Sequence, residues 1–234
     1  KRYAQLADLA LTVVSLSDYG TRVVGVDDRD YRRVRDYDNP PADYHLVDPV
    51  TGARKLVLKQ HRNDSGGPGG GLQWSPDGKW VAYFTAKHWH VLDTATGAES
   101  NLTASVPAQF WDADDDRPEP PSAYGTAGWT KDSGAFLADD RFDVWQLSPT
   151  GGAAKNLTAS FGAKNKIALR VQRIEPVEED DEERGLDPAK PLVLRGESEA
   201  TRATGFFRTT FAATGAPERL LWGDKNFRYV GRAV

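Results

Sequence analysis

Three short runs set the pattern of this chain: "RVVGV" (22–26), "WVAYF" (80–84) and "AFLA" (135–138). Each is apolar at consecutive positions, whereas a strand with one wetted face alternates apolar and polar residues. Polar turns bound them. Ser75-Pro76-Asp77-Gly78 delivers the chain into 80–84, and Thr85-Ala86-Lys87 reverses it into Trp89-His90-Val91-Leu92. A further turn at 93–97 leads toward a strand ending in Asn101-Leu102-Thr103. Proline presets φ at the second turn position, and glycine accepts the backbone that follows. The pattern predicts short antiparallel strands buried on both sides, with almost no helical periodicity.

The pattern repeats. "LQWSPDGKWVAYFTAKHWHVLDTATGAESNLT" (72–103) aligns with "AGWTKDSGAFLADDRFDVWQLSPTGGAAKNLT" (127–158). Trp74 matches Trp129, Gly97 matches Gly152, and Asn101-Leu102-Thr103 matches Asn156-Leu157-Thr158, all at one constant offset. A looser copy occupies 15–60, and a fainter one runs through "GFFRTTFAATGAPERLL" (205–221). Small sheets buried on both faces and recurring in phase must stack face against face, as the four-stranded blades of a β-propeller do. The expected fold is therefore all-β: one partial β-propeller domain over 1–234. Its blade units are expected near 15–60, 72–103, 127–158 and 190–222. A β-sandwich is the alternative, but it does not account for a turn and a tryptophan recurring in phase.

Composition narrows the possibilities. The chain has 234 residues, 39% hydrophobic and 10% aromatic, enough for a packed core. A net charge of −4 argues against the basic face that a nucleic-acid partner demands. The absence of cysteine excludes structural disulfides and thiolate-bound zinc. The longest apolar stretch, "LADLALTVVSL" (6–16), is interrupted by Asp8 and is too short to span a bilayer, so no membrane partner is expected. No signal peptide is visible. Because the chain starts at Lys1 and lacks methionine, a processed or excised piece is expected.

"NDSGGPGGG" (63–71) holds the one motif with a catalytic look. Its Asp64-Ser65-Gly66-Gly67-Pro68 core resembles the nucleophile loop of trypsin-like serine proteases. A serine nucleophile needs a base oriented by a third group. In that family the histidine and aspartate come well before the serine. Here the upstream histidines are His45 and His61, the latter four residues away, and the Ala-Ala-His-Cys signature is absent. The stretch reads as a glycine-rich connector.

"SPDGKWVAYF" (75–84) resembles the propeller repeat of TolB and of prolyl-oligopeptidase-type (S9) serine peptidases. "FWDADDDRPEPPSAYGTAGWTKDSGAFLADDRFDVWQLSPTGGAAKNLT" (110–158) and "LDPAKPLVLRGESEATRATGFFR" (186–208), continued by "PERLLWGDKNFR" (217–228), resemble a bacterial S9 peptidase propeller. The likeness covers most of 65–230. It implies an enzyme in two parts, a propeller capping an α/β-hydrolase domain whose nucleophile sits in a Gly-x-Ser-x-Gly elbow. This chain contains no such elbow. The resemblance therefore assigns no catalytic, cofactor or metal residue here and implies a non-catalytic portion that gates substrate access and helps bind peptides. Its implied partners are further propeller blades, the hydrolase domain and the peptide itself, and its implied compartment is periplasmic or secreted. A free-standing TolB-like interaction scaffold is the alternative. Fewer units than a full ring would leave bare apolar blade faces and open edges, so self-association is also expected.

Other candidates have plainer explanations. His88 and His90 share one face of a strand, yet zinc needs three or four ligands and no third lies nearby in sequence. "DADDD" (112–116) offers oxygen ligands for calcium but lacks the glycine and distal glutamate of an EF-hand loop, so an inter-blade loop is expected. "EEDDEER" (178–184) is dense enough in like charge to stay hydrated as a connector. Asn63, Asn101 and Asn156 each open an Asn-x-Ser/Thr triplet, and the in-phase pair points to a structural role at the blade's end. Trp74, Trp80, Trp89, Trp129 and Trp145 sit at strand positions and are expected in inter-blade core.

Overall fold

The computed structural model describes residues 4–11, 13–34, 40–62, 71–116, 118, 120–174 and 185–231. Among these residues sixteen strands form four sheets of four, and in each sheet the strands pair antiparallel in chain order. The first sheet comprises β1 (Val13–Leu16), β2 (Val23–Asp27), β3 (Ala42–Val47) and β4 (Arg54–His61). The second comprises β5 (Gln73–Trp74), β6 (Trp80–Thr85), β7 (His88–Asp93) and β8 (Glu99–Asn101). The third comprises β9 (Gly125–Trp129), β10 (Phe136–Asp139), β11 (Val144–Leu147) and β12 (Lys155–Asn156). The fourth comprises β13 (Ile167–Val171), β14 (Leu192–Ser198), β15 (Thr204–Thr209) and β16 (Glu218–Gly223). It thus takes its first strand from well before 190, ahead of the acidic run. One short helix, α1 (Phe161–Asn165), joins the last two sheets, and a 3-10 turn occupies Arg29–Val34.

The sheets stack in sequence order as blades of a β-propeller, and three apolar clusters are the three junctions. Val24, Tyr44 and Leu58 of the first sheet meet Trp74, Val81, Tyr83 and Leu92 of the second. Ala82, Trp89 and Val91 turn the other way, toward Trp129, Phe136 and Ala138 of the third. Leu137, Val144 and Leu157 then face Leu169, Leu192, Leu194 and Phe207 of the fourth. Successive residues of a strand point to opposite faces. Val81, Ala82 and Tyr83 therefore belong to two different junctions, as do Phe136, Leu137 and Ala138. This is why these strands are apolar without alternation.

Polar side chains fix the stack at its edges. Ser75 Oγ accepts from Trp80 N at 2.9 Å and donates to Asp77 at 2.6 Å. Thr130 and Asp132 repeat this arrangement in the third sheet, where Ala135 N donates to Thr130 at 3.0 Å. The turns also link one sheet to the next: Arg22 Nε donates to Gly78 O at 3.1 Å, and Asp77 N donates to Ser133 Oγ at 3.1 Å. Gly78 has φ +68°, and a Cβ there would lie 2.6 Å from the Thr21 hydroxyl. Asp48 and Asp93 each accept two backbone N–H groups in the matching β3–β4 and β7–β8 turns.

The two end faces are covered differently from the junctions. Residues 4–11 lie along the far face of the first sheet. There Leu11 occupies the space a Cβ on Gly25 would need, and Arg54 donates to Leu6 O and pairs with Asp8. Val13 and Leu16 remain exposed at that end. The fourth sheet has a mixed far face: β14 alternates strictly between buried and half-buried positions, with Arg195 and Glu197 on the outer side, and Phe206 and the exposed Leu221 share that side. The segment from Lys225 to Tyr229 folds back over it. Lys225 O accepts from Thr204 Oγ1 at 2.7 Å, Asn226 accepts from Arg195, and Tyr229 donates its hydroxyl to Ile174 O at 2.6 Å. This end is therefore partly covered, with Leu220 and Leu221 of its last strand left exposed.

Trp129 is 1% exposed, packs 5.3 Å from Phe136 and donates its indole N–H to Gln73 O of the preceding sheet. Trp129→Ala is expected to destabilise the chain by about 3–5 kcal/mol, as large-to-small core changes do. Chemical denaturation checks this; an unchanged midpoint would contradict the assignment of Trp129 to the junction.

Candidate functional site

Antiparallel order places the turns after the first and third strands of each sheet on one rim. Connections after the second strand, and those between sheets, fall on the other. The first rim carries mostly tight turns, with the connection from β13 to β14 as its long exception. The second carries the 28–41 insertion, the 102–124 loop and α1. Where the third and fourth sheets meet this second rim, charged side chains from four chain segments surround an open recess of about 370 Å³.

The sharp β10–β11 turn positions the first of them. Asp140 accepts from Phe142 N at 2.7 Å, from Asp143 N at 2.6 Å and from the Trp145 indole N–H at 2.7 Å. The side chain thus replaces backbone partners in the turn and leaves Arg141 projecting from it. Arg141 pairs with Asp114 of the inter-sheet loop at 3.0 Å and with Glu199 of the β14–β15 turn. Asp143 faces inward, accepting from Thr158 Oγ1 and from the Gly162 and Ala163 amides, and so anchors α1. From the fourth sheet come Arg170, which donates to Arg141 O at 3.1 Å, and Glu197, which pairs with Arg195 at 3.1 Å and Arg202 at 3.2 Å.

Behind the recess lies Asp139, 3.6 Å from Arg170 and buried between the sheets. Burial pushes its pKa up to about 6 against the pull of Arg170, and neighbouring Asp140 adds to the rise. One of its carboxylate oxygens, Oδ1, has no hydrogen-bond partner. Burial raises the Asp140 pKa too, opposed by the hydrogen bonds it accepts. The recess lining holds no serine, cysteine or lysine. It can bind and orient charged or polar groups by exchanging ion pairs.

The sequence-derived candidates are scattered. Ser65 and Asn63 lie outside the described residues, as does the 178–184 acidic run. The His88 ring hydrogen-bonds Thr103 at 3.1 Å, and His90 stacks on Tyr83 with centroids 5.6 Å apart. Among the described residues no group of three His, Asp or Glu is placed to hold a metal. Of the 112–116 loop, Asp112 accepts from Asp114 N, and Asp114 reaches the recess through Arg141. Asn101 accepts the Thr103 and Ala104 amides and Asn156 the Thr158 amide, closing equivalent turns after β8 and β12. Trp74, Trp89 and Trp129 are buried in the junctions, while half-buried Trp80 and Trp145 pack against the second. Sequence reasoning missed Asp139, Arg141, Arg170, Arg195, Glu197 and Glu199. Only the charged "DDRFD" (139–143), in place of a neutral hairpin turn, gave a signal for this site.

No family model and no curated protein matches the chain. Among solved structures, Porphyromonas gingivalis dipeptidyl peptidase 4 is similar with a TM-score of 0.53 and 14% identity, over 94% of this chain and 33% of that one. A TolB-like protein of Agrobacterium tumefaciens aligns with a TM-score of 0.43 and 12% identity, over 91% of this chain and 66% of that one. The chain thus spans about a third of the peptidase's length. At 14% identity the likeness to the peptidase is one of fold, and it agrees with the propeller expected from the repeat.

Because the folded-state pKa of Asp139 lies above its ordinary value of 3.8, the folded chain holds this proton more tightly than the unfolded one. The cost of ionising it is absent below about pH 4, grows through about pH 6 and is constant above, reaching roughly 2–3 kcal/mol at one unit per 1.36 kcal/mol. Asp139→Asn keeps the shape of the protonated acid. It is expected to melt with the wild type near pH 4 and above it at pH 8, and a variant less stable than wild type at pH 8 would contradict this.

Proposed function

We propose that the chain is the non-catalytic propeller portion of an S9-type serine peptidase. In this reading the stacked sheets stand before a separate α/β-hydrolase domain, screen which peptides reach it, and hold part of the peptide on the elaborated rim. The observation that carries it is the convergence on that rim of charged side chains from the 102–124 loop, two hairpin turns and the far face of the fourth sheet, around one open recess. A concave recess with a few placed polar groups is suited to holding part of a peptide. The fold likeness to a dipeptidyl peptidase of about three times this length supports a larger protein with room for a catalytic domain. The "SPDGKWVAYF" repeat and the 110–158 segment support the same family. A periplasmic or secreted location belongs to this proposal through that resemblance. No described helix is long and apolar enough to cross a membrane.

A serine-directed fluorophosphonate probe tests the reading. The protein encoded by the complete gene is expected to be labelled and to cleave peptides, while this chain alone is neither labelled nor active. In the complete protein, Arg141→Ala is expected to raise KM for peptides while leaving turnover of a small ester unchanged, because the ester does not reach the rim. A complete protein that the probe fails to label would overturn the peptidase reading and leave a binding scaffold.

A further inference from the structure

Three acids of the β10–β11 hairpin stand close to the recess between the third and fourth sheets, and they are satisfied unequally. Asp140 accepts from two backbone amides and the Trp145 indole, and Asp143 accepts from Thr158 Oγ1 and two amides of α1. Asp139 is 3% exposed, yet its Oδ1 has no hydrogen-bond partner, and the Arg170 Nε that faces its Oδ2 is 3.6 Å away, too far for a good hydrogen bond. A buried carboxylate paired so incompletely is costly to keep ionised, and taking up a proton removes that cost.

Arg170 joins this acid to the recess, which it lines. Its Nη1 donates to Leu169 O at 2.7 Å and its Nη2 to Arg141 O at 3.1 Å, so two carbonyls hold the guanidinium whatever the charge of Asp139. A guanidinium has five N–H donors. With one given to each carbonyl and Nε turned to Asp139, each Nη keeps a further N–H for a ligand. What the charge of Asp139 changes is the field: ionised, it offsets Arg170 from behind, and neutral, it leaves that positive charge to act on the recess. The other titratable groups about Asp139 are Asp140 beside it, Arg141 and Asp143 from the turn into β11, and Tyr124 ahead of β9, while β14 brings Leu192 and Leu194 to the junction. With burial holding the Asp139 pKa at about 6, its charge changes across mildly acidic to neutral pH. Burial raises the Asp140 pKa as well, but the three hydrogen bonds it accepts favour its charged form. All four histidines of the chain lie in the first two sheets, away from this recess.

We propose that Asp139 is a proton switch for this recess: its protonation strengthens the hold of Arg170 on an acidic side chain of a bound peptide, and its ionisation weakens that hold. The inference rests on the reading of the recess as a peptide-holding surface, and adds the kind of residue held and the condition under which it is held. Coupling of this kind is reciprocal. A carboxylate seated at Arg170 raises the proton affinity of Asp139, so binding the peptide takes up protons.

Isothermal titration of the chain at low salt, at pH 5.5 and pH 8, would compare acetyl-Ala-Ala-Glu-Ala-Ala amide with its glutamine counterpart. The glutamate peptide is expected to bind at least about fivefold more tightly at pH 5.5, the lower end of typical coupling between sites. Its heat is expected to vary with the ionisation enthalpy of the buffer, as proton uptake requires, and the glutamine peptide is expected to show neither effect. Asp139→Asn, which mimics the protonated acid, is expected to bind the glutamate peptide at pH 8 about as tightly as the wild type does at pH 5.5. Arg170→Gln is expected to lose the preference for glutamate at both pH values, with a thermal melt showing that it folds. A pH dependence that persists in Asp139→Asn, an equal dependence for the glutamine peptide, or no binding of either peptide would overturn the switch. Failure here beside a complete protein that the fluorophosphonate labels would leave the peptidase reading standing. Proton-linked binding without labelling would remove that reading and keep the switch.

Discussion

Each of the two middle sheets has to bury both of its faces at once. Val81 and Tyr83 pack against the first sheet while Ala82, between them, packs against the third. Phe136, Leu137 and Ala138 divide in the same way one junction later. A two-sided apolar sheet has no stable existence alone in water, so the order of the stack follows from the need to cover every such face. Ala82 and Ala138, both fully buried, let the second and third sheets approach, and Trp89 and Phe136, 4.8 Å apart, fill the space beside them. Edge contacts then set the register, such as Lys55 Nζ donating to Ala95 O at 2.6 Å and Lys155 Nζ to Phe211 O at 2.6 Å.

This division of labour separates stability from binding. The junctions are almost entirely apolar, so the loops of one rim are free to carry charge without holding the fold together. Two recesses differ accordingly. One, between the third and fourth sheets, mixes four arginines with four carboxylates, while another, where the first two sheets meet, is lined largely by Tyr31, Phe84 and prolines. Asp139 ties rim to core. It sits inside a junction, keeps a raised pKa and leaves one oxygen unpartnered. A buried acid of this kind beside a recess is a common mark of functional ground.

The blades were legible because their defining feature is local: runs such as 80–84 and the phased Trp74–Trp129 pair sit within single repeats. The Ser75 and Thr130 turns were visible for the same reason, and the structure gives them matching hydrogen bonds. The first strand of the fourth sheet was not, because β13 stands before the acidic run while its partner β14 follows it. The charged residues on the far face of that sheet were also missed, although "LVLRGES" alternates as a half-exposed strand does. The recesses were invisible in principle. Arg141 and Glu199, or Tyr31, Phe84 and Pro121, come together only through stacking, and nothing in their local sequence marks them as neighbours.

Hydrogen exchange of the native chain tests the central claim most directly, because amides in doubly covered strands exchange only when the stack opens. Peptides spanning 80–93 and 136–147 are expected to be the most protected in the chain, ahead of β1 and β16 at the two ends. Exchange in 80–93 as fast as in β1 would mean that the second sheet is not enclosed between its neighbours, and the stacked-blade account would fail.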